Sequence, residues 1–135
     1  MYLLDTNICI YLIKNKYPIL KQRLLECNPD EVFVSSITVA EMEYGASKSQ
    51  YREKNRQAML NFFSSFGNIL DFTTDDTEAY GIIRAYLEKI GKVIGPYDMQ
   101  IAAQGLSRKL TVITNNYDEF SRIPEVNYHR QSRWL

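Results

Sequence analysis

Four acids stand at places where a fold could use them. Asp5 directly follows the apolar run Tyr2-Leu3-Leu4, and Glu41 lies inside a helical pattern from Ile37 to Ser47. Asp98 follows Gly95-Pro96-Tyr97, and Glu119 follows the strand-like run Leu110-Thr111-Val112-Ile113. They are far apart in the chain, so only tertiary structure can gather them. Two or three carboxylates within about 4 Å of one another repel by roughly 4 kcal/mol per pair at an effective dielectric of 20, and a hard divalent cation removes that repulsion. All-oxygen donors favour Mg²⁺ or Mn²⁺, whereas zinc selects His and Cys. Asp5 has Thr6 and Asn7 beside it as further oxygen donors. Acids at helix starts are also favoured by capping and by the helix dipole, so Asp5 and Asp98 each have a purely structural reading as well.

Other routes to catalysis have little support. The one histidine, His129, sits near the C-terminus with no imidazole partner and reads as a surface or packing residue. Cys9 and Cys27 lack metal-ligand spacing and read as buried free thiols in helical segments. Metal-activated water is the remaining candidate.

The elements that must position these acids follow from hydrophobic periodicity. Tyr2-Leu3-Leu4 reads as a short strand ended by Asp5, with a helix over 7–13 packing back on it. Residues 17 to 27 carry Ile19, Leu20, Leu24 and Leu25 at helical spacing, and Val32-Phe33-Val34 is a short buried strand. Ser35-Ser36 caps the Ile37–Ser47 helix, whose stripe Ile37, Ala40, Tyr44 and Gly45 also carries Glu41, while Glu43 points elsewhere and reads as solvated. A polar helix over 50–66 ends in Leu60, Phe62, Phe63 and Phe66 and is stopped by Gly67, and Ile69-Leu70-Asp71-Phe72 is the next strand. Thr74 or Asp75 caps a helix reaching Ile90, with Gly91 at its end. Gly95-Pro96 opens another, in which the small residues Ala102 and Ala103 allow close approach to a sheet. Leu110–Ile113 is the clearest strand, and a weak one over Val126 to Tyr128 closes the chain.

Strands alternating with helices imply a parallel α/β sheet, whose sites form beyond the carboxyl ends of the strands. Asp5 and the run Thr114 to Asn116 both follow strands directly, so they point at one crevice. At 135 residues, with no repeat or Pro/Gly-rich linker, one domain over 1–135 is expected. Hydrophobic residues at 45% and charged ones at 24% exclude a disordered chain. Lys14 and Lys16 interrupt the first apolar segment, no bilayer-spanning run follows, and no signal-peptide pattern is present, so a cytoplasmic protein is expected. Sixteen basic and sixteen acidic residues cancel, which excludes whole-molecule attraction to nucleic acid and leaves local contacts such as Lys14, Lys16, Lys48 and Arg52. Lys54 and Arg56 extend that basic set on the polar helix, and these residues also have an ordinary solvated-face reading.

Four motifs in order carry a family resemblance: Leu3-Leu4-Asp5-Thr6-Asn7, Ile37-Thr38-Val39-Ala40-Glu41-Met42-Glu43-Tyr44-Gly45, Ile94-Gly95-Pro96-Tyr97-Asp98-Met99-Gln100-Ile101-Ala102, and Val112-Ile113-Thr114-Asn115-Asn116-Tyr117-Asp118-Glu119-Phe120. Together they resemble the PIN-domain toxins of bacterial VapBC toxin–antitoxin modules, over nearly the whole chain. The resemblance implies an α/β PIN fold with a central parallel sheet of four to five strands in the order 3-2-1-4-5, flanked by helices. It implies a Mg²⁺-dependent endoribonuclease, with Mn²⁺ as a substitute, that cuts RNA, with transfer RNA preferred, to inhibit translation. A cognate VapB-type antitoxin would neutralise it, in assemblies with toxin homodimers, and Tyr11, Tyr44, Phe62 and Phe63 are candidate groove aromatics.

The family's acidic site maps onto Asp5, Glu41 and Asp98, with its fourth acid replaced here by the neutral Asn116. On that mapping Asp5 and Asp98 ligate the metal, and Glu41 does so directly or through water. Thr6, Asn7, Thr114 and Glu119 support the site, and one metal is held strongly. Water would attack phosphorus in line, leaving a 5′-phosphate and a 3′-hydroxyl. Two rivals are a phosphatase of the haloacid dehalogenase type, which wants an acid where Asn7 stands, and a non-catalytic module whose acidic pocket docks an arginine.

Overall fold

A computed structural model describes residues 1–66, 68–124 and 126, and the backbone of 128–130. Among these residues five strands form one sheet in the order β3-β2-β1-β4-β5: β1 (Tyr2–Leu4), β2 (Val32–Ser35), β3 (Ile69–Leu70), β4 (Thr111–Thr114) and β5 (Tyr128–Arg130). Every pairing is parallel, and β1 is central, with Leu3 beside Phe33 and Val112 and Leu4 beside Val34 and Ile113. The expected fold class and strand order are therefore those observed.

The sheet's two faces divide the core by the period of two in a strand. Leu3 and Val112 pack with helix α5 (Thr74–Lys89) and helix α6 (Pro96–Arg108) on one face, together with Phe120 of the short helix α7 (Tyr117–Phe120). Leu4, Val32, Val34 and Ile113 pack on the other face against α1 (Thr6–Ile13), α2 (Pro18–Glu26) and α4 (Arg52–Ser65). Helix α3 (Ser36–Ser47) follows β2 directly and buries Thr38 and Ala46.

Local chemistry fixes most boundaries. Asp5 is the N-cap of α1 and Ser35 that of α3, each accepting a backbone N–H from its own first turn. Helix α5 ends in a Schellman motif: Lys92 N–H donates to Leu87 C=O and Gly91 N–H to Glu88 C=O, with Gly91 at φ +69°. Its start differs from expectation. The cap is Thr73, not Thr74 or Asp75, because Asp76 returns a hydrogen bond to the Thr73 N–H in a capping box.

Other corrections are smaller. Strand β3 stops at Leu70 instead of Phe72, β4 spans Thr111–Thr114, and the last strand begins at Tyr128 instead of Val126. A 3₁₀ turn at Pro29–Glu31 and helix α7 were not anticipated. Cys9 is buried as expected, but Cys27 follows the end of α2 and is only half-buried. The expected stop at Gly67 and the placing of the His129 side chain lie outside the described residues. No helix among the described residues is long and apolar enough to cross a membrane.

Helix α6 lies close on β4 because Ala102 and Ala103 are fully buried and Gly105 carries no side chain. A Cβ at Gly105 would stand 2.8 Å from Val112 Cγ2, inside the core. Gly105→Ala therefore forces a shift of α6 or Val112. Overpacking of about 1–3 kcal/mol outweighs the gain of about 1 kcal/mol from better helix propensity. A urea midpoint equal to or above that of the unaltered protein would contradict this tight contact.

Candidate active site

The parallel sheet gathers the candidate residues at the carboxyl ends of β1 and β4, with α6 supplying its first turn. Asp5 is only 2% exposed and its N–H donates to Ile113 C=O, which seats it at the junction of the two strands. Its Oδ1 accepts the Ile8 N–H at 2.9 Å, and a Thr114 hydroxyl also bonds the carboxylate. The capping role is thus real, and it leaves a buried charge that capping does not require. Burial pushes the Asp5 carboxyl up to about 6, against hydrogen bonds from Thr114 and Ile8 that favour the anion, and the nearby Glu41 carboxylate pushes it further up.

Asp98 stands in the first turn of α6, as expected. Its carboxyl is pushed up to about 7, first by burial, then by a hydrogen bond shared with Glu119 and by the charges of Glu119 and Asp5. Asn116 works against this by donating its Nδ2 to Asp98 Oδ2 at 3.0 Å and to Glu119 Oε2 at 2.5 Å. Among the described residues, the charges that push Asp5 and Asp98 up are thus carboxylates.

Glu41 reaches the site from α3, where its Oε1 accepts the Thr6 hydroxyl at 2.8 Å, and Thr6 Oγ1 is 3.0 Å from Thr38 Oγ1. The stripe on which Glu41 was placed is not an apolar buried face, for Tyr44 is 67% exposed and Ala40 is exposed. Helix α3 buries the Thr38 and Ala46 side, so the carboxylate needs no desolvated stripe to explain it. Glu43 is not merely solvated: it is half-buried and ion-paired with Arg56 at 3.0 Å. Phe63 is a core residue and unavailable as a groove aromatic, while Tyr11 and Phe62 are half-buried.

The expected supporting residues fall into place unevenly. Thr114 is fully buried and bonds both Asp5 and the Asn116 N–H, the latter at 2.8 Å. Asn7 is exposed and donates to Asn115 Oδ1 at 3.4 Å. Glu119 is more central than a supporting residue, since it shares Asn116 with Asp98. Thr38 and Asn115 were missed as individual residues, although both lie inside motifs quoted for the resemblance. Thr38 precedes Glu41 by one helical turn, which is the spacing that brings two side chains onto one face.

Among the basic candidates, Lys14 lines an open cavity of about 280 Å³ together with Glu41. Lys16 lies over the Tyr11 ring and Lys48 over the Tyr44 ring, and Arg52 pairs with Glu53 at 2.6 Å. That exposed ion pair is worth at most about 1 kcal/mol, too little to keep Arg52 from a phosphate.

The donor set can be tested against a divalent cation. Among the described residues no three His, Cys, Asp or Glu side chains converge into a ligand group. The carboxylates best suited to such an ion are the buried Asp5 and the half-buried Asp98, each destabilised as an anion by burial and by other carboxylates, with neutral oxygens nearby. A hard divalent cation that keeps several of its waters needs only one or two carboxylates, so a pair of this kind suits such an ion.

Comparison with known proteins places the fold in a family. The PIN domain matches residues 2–126. Ribonuclease VapC2 of Rickettsia felis is 42% identical over 128 residues, covering 93% of this chain and 94% of that protein. The tRNA(fMet)-specific endonuclease VapC of Salmonella typhimurium is 42% identical over 125 residues, covering 93% of each. The crystal structure of DNA-bound VapBC from Salmonella typhimurium superposes with a TM-score of 0.90 at 41% identity, covering 96% of this chain and 97% of that one. VapBC2 of Rickettsia felis bound to a promoter DNA fragment gives 0.87 at 39% identity, with the same coverage. Family match, sheet order and the acids at the strand ends converge: the chain belongs to the PIN-domain family, within its VapC branch.

Proposed function

We propose that the protein, as one PIN domain over residues 1–135, is the toxin of a type II toxin–antitoxin module and a divalent-metal-dependent endoribonuclease. The observation that carries this reading is the pair Asp5 and Asp98, both held with raised pKa values among other carboxylates at the strand ends of a chain that matches VapC ribonucleases along nearly its whole length. Transfer RNA is the proposed substrate class, since a relative 42% identical is named a tRNA(fMet)-specific endonuclease.

Asp5 and Asp98 would hold Mg²⁺, with Glu41 reaching it directly or through water. A divalent ion there supplies positive charge to the phosphodiester and lowers the pKa of the attacking water. Thr6 fixes the Glu41 carboxylate, Asn116 orients Asp98 and Glu119, and Thr114 orients Asp5 and the Asn116 backbone. Asn116 adds a neutral amide where a further carboxylate would add charge, which limits the pull on a second cation. Lys14 stands near Glu41 to meet phosphate.

A VapB-type antitoxin is the proposed partner, because the similar structures are VapBC assemblies. An open cavity of about 340 Å³ between α1, α2 and α4, lined in part by Leu12, Leu24, Leu25, Phe62 and Phe66, supports that partner. The exposed row Ile82 and Tyr86 on α5 and Ile90 at its C-cap supports a homodimer within such an assembly.

Incubating the protein with total RNA and Mg²⁺, then mapping new 5′ ends, tests this reading. Cuts confined to a few transfer RNAs are expected, abolished by EDTA and by Asp98→Asn. Equal cutting by the variant, or phosphate release without chain cleavage, would reject the mechanism.

A further inference from the structure

Beside the carboxylates, side chains outside the candidate ligand set are tied into one chain. Asn7 Nδ2 donates to Asn115 Oδ1 at 3.4 Å, and Asn115 Nδ2 donates to the Tyr11 hydroxyl at 2.7 Å. Asn7 and Tyr11 belong to α1, whereas Asn115 belongs to the turn between β4 and α7. The two asparagines are exposed, and exposed amides can bond water with no ordering cost. A bonded chain across two such distant segments fixes one against the other.

The tyrosine at its end is itself held. Tyr17 meets the Tyr11 ring edge-on with centroids 5.3 Å apart, and Lys16 Nζ lies 4.8 Å from the Tyr11 centroid and 5.5 Å from that of Tyr17. A ring engaged by a cation and a second ring presents its hydroxyl in a set direction and is poorly placed to stack on a base.

On its other side the same turn governs the active site. Asn116, the neighbour of Asn115, bonds Thr114 through its N–H and bonds both Asp98 and Glu119 through its Nδ2. We propose that Tyr11, Asn7 and Asn115 are positioning residues: they clamp the β4–α7 turn to α1, and so hold Asn116 and Asp98 in register with Asp5. Lys16 and Tyr17 secure the anchor ring. Misplacing reacting groups by about 1 Å can cost 10²-fold in rate, so a clamp one residue from Asn116 matters to turnover without touching RNA.

Tyr11→Phe removes only the hydroxyl and keeps the ring contacts. The inference rests on the nuclease reading for its kinetic arm alone. With RNA substrate, Tyr11→Phe and Asn115→Ala are each expected to lower kcat about 10-fold at unchanged KM. The double variant should be no worse than the weaker single, and the melting temperature of Tyr11→Phe should move by no more than about 4 °C. A raised KM at constant kcat would mean direct RNA contact, and multiplying losses would mean independent roles; either outcome overturns the clamp.

A second arm needs no catalysis. In ¹⁵N-labelled protein, Tyr11→Phe should shift the Asn116 side-chain amide signals, although the partner of the Tyr11 hydroxyl is Asn115. Unmoved signals overturn the clamp even if RNA is cut, and RNA left intact by the unaltered protein overturns the nuclease reading while this arm still decides the clamp.

Discussion

Asp5→Asn is expected to lower RNA cleavage by more than about 100-fold while making the metal-free protein more stable. The loss follows from removing a metal-binding carboxylate, since such an ion contributes several kcal/mol to the transition state and each 1.36 kcal/mol is tenfold in rate. The gain in stability follows from the same charge. Asn serves as well as Asp at an N-cap, so the bond from Ile8 N–H is kept. The buried anion is what disappears, together with its repulsion of Glu41 and its share in raising Asp98.

A folded-state pKa of about 6 against an ordinary 3.8 places the cost of ionised Asp5 at up to about 3 kcal/mol above pH 6. The sign is that of an acid with a raised pKa: the metal-free protein loses stability as pH rises from about 4 through 6, and Asp98 extends the loss to about 7. Chemical denaturation in EDTA at pH 7.5 should show Asp5→Asn stabler by about 1–3 kcal/mol, with a flatter pH profile. Mg²⁺ at 100 times its Kd should recover about 2.7 kcal/mol in the unaltered protein and little in the variant. An Asp5→Asn protein that cuts RNA normally, or that is less stable in EDTA, would sink the assignment.

Why Asp5 was legible in the sequence and other parts of the site were not has a physical reason. Asp5 follows an apolar strand and begins a helix, and strand ends in a parallel sheet point at one crevice. Local pattern therefore placed Asp5, and through the β4 motif also Thr114 and Asn116. Glu41 was found by its motif, yet the stripe invoked for it was wrong. Helix α3 turns its small and β-branched residues inward and leaves Tyr44 in solvent, because the neighbouring helices, not the helix's own composition, decide which face is covered. The rank of Glu119 depends on Asn116 reaching two carboxylates at once, a distance fact with no counterpart in spacing. The Tyr11–Asn115 bond joins residues 104 positions apart, and no periodicity encodes a contact of that kind. The fold shows the same division. Caps and stops made by adjacent residues, such as Ser35 and Gly91, could be read directly. The Thr73 cap was misplaced because it depends on Asp76, whose carboxylate is held by residues from another helix.

That carboxylate carries the largest expected effect on stability away from the active site. Asp76 is 0% exposed, and its Oδ2 accepts from Thr73 N–H at 2.9 Å and from Arg108 Nη2 at 3.2 Å. Its Oδ1 accepts from the Ser107 hydroxyl and from Arg108 Nε. Burial pushes the Asp76 carboxyl up, but the bonds from Ser107, Thr73 and Arg108 outweigh it and hold the group below its usual range. Arg108→Ala strands a buried anion, a change that costs about 3–5 kcal/mol for fully buried pairs. Because Arg108 is itself 31% exposed, water will enter and the lower end of that range is expected. In the unaltered protein the contribution is complete above pH 3.8 and is lost only as pH falls through the still lower folded pKa. In Arg108→Ala the Ser107 and Thr73 bonds remain but both Arg108 contributions are lost, so the Asp76 carboxyl moves up from its lowered position and the variant loses less as it takes up a proton. The stability gap between the two proteins should therefore be full at pH 7 and close in urea titrations as pH falls through the Asp76 titration. Asp76→Leu combined with Arg108→Met should recover most of the loss at pH 7, since an apolar pair removes both the stranded charge and its desolvation. A gap that stays constant with pH, or a double variant as unstable as Arg108→Ala, would show that α5 and α6 are joined by packing and not by this ion pair.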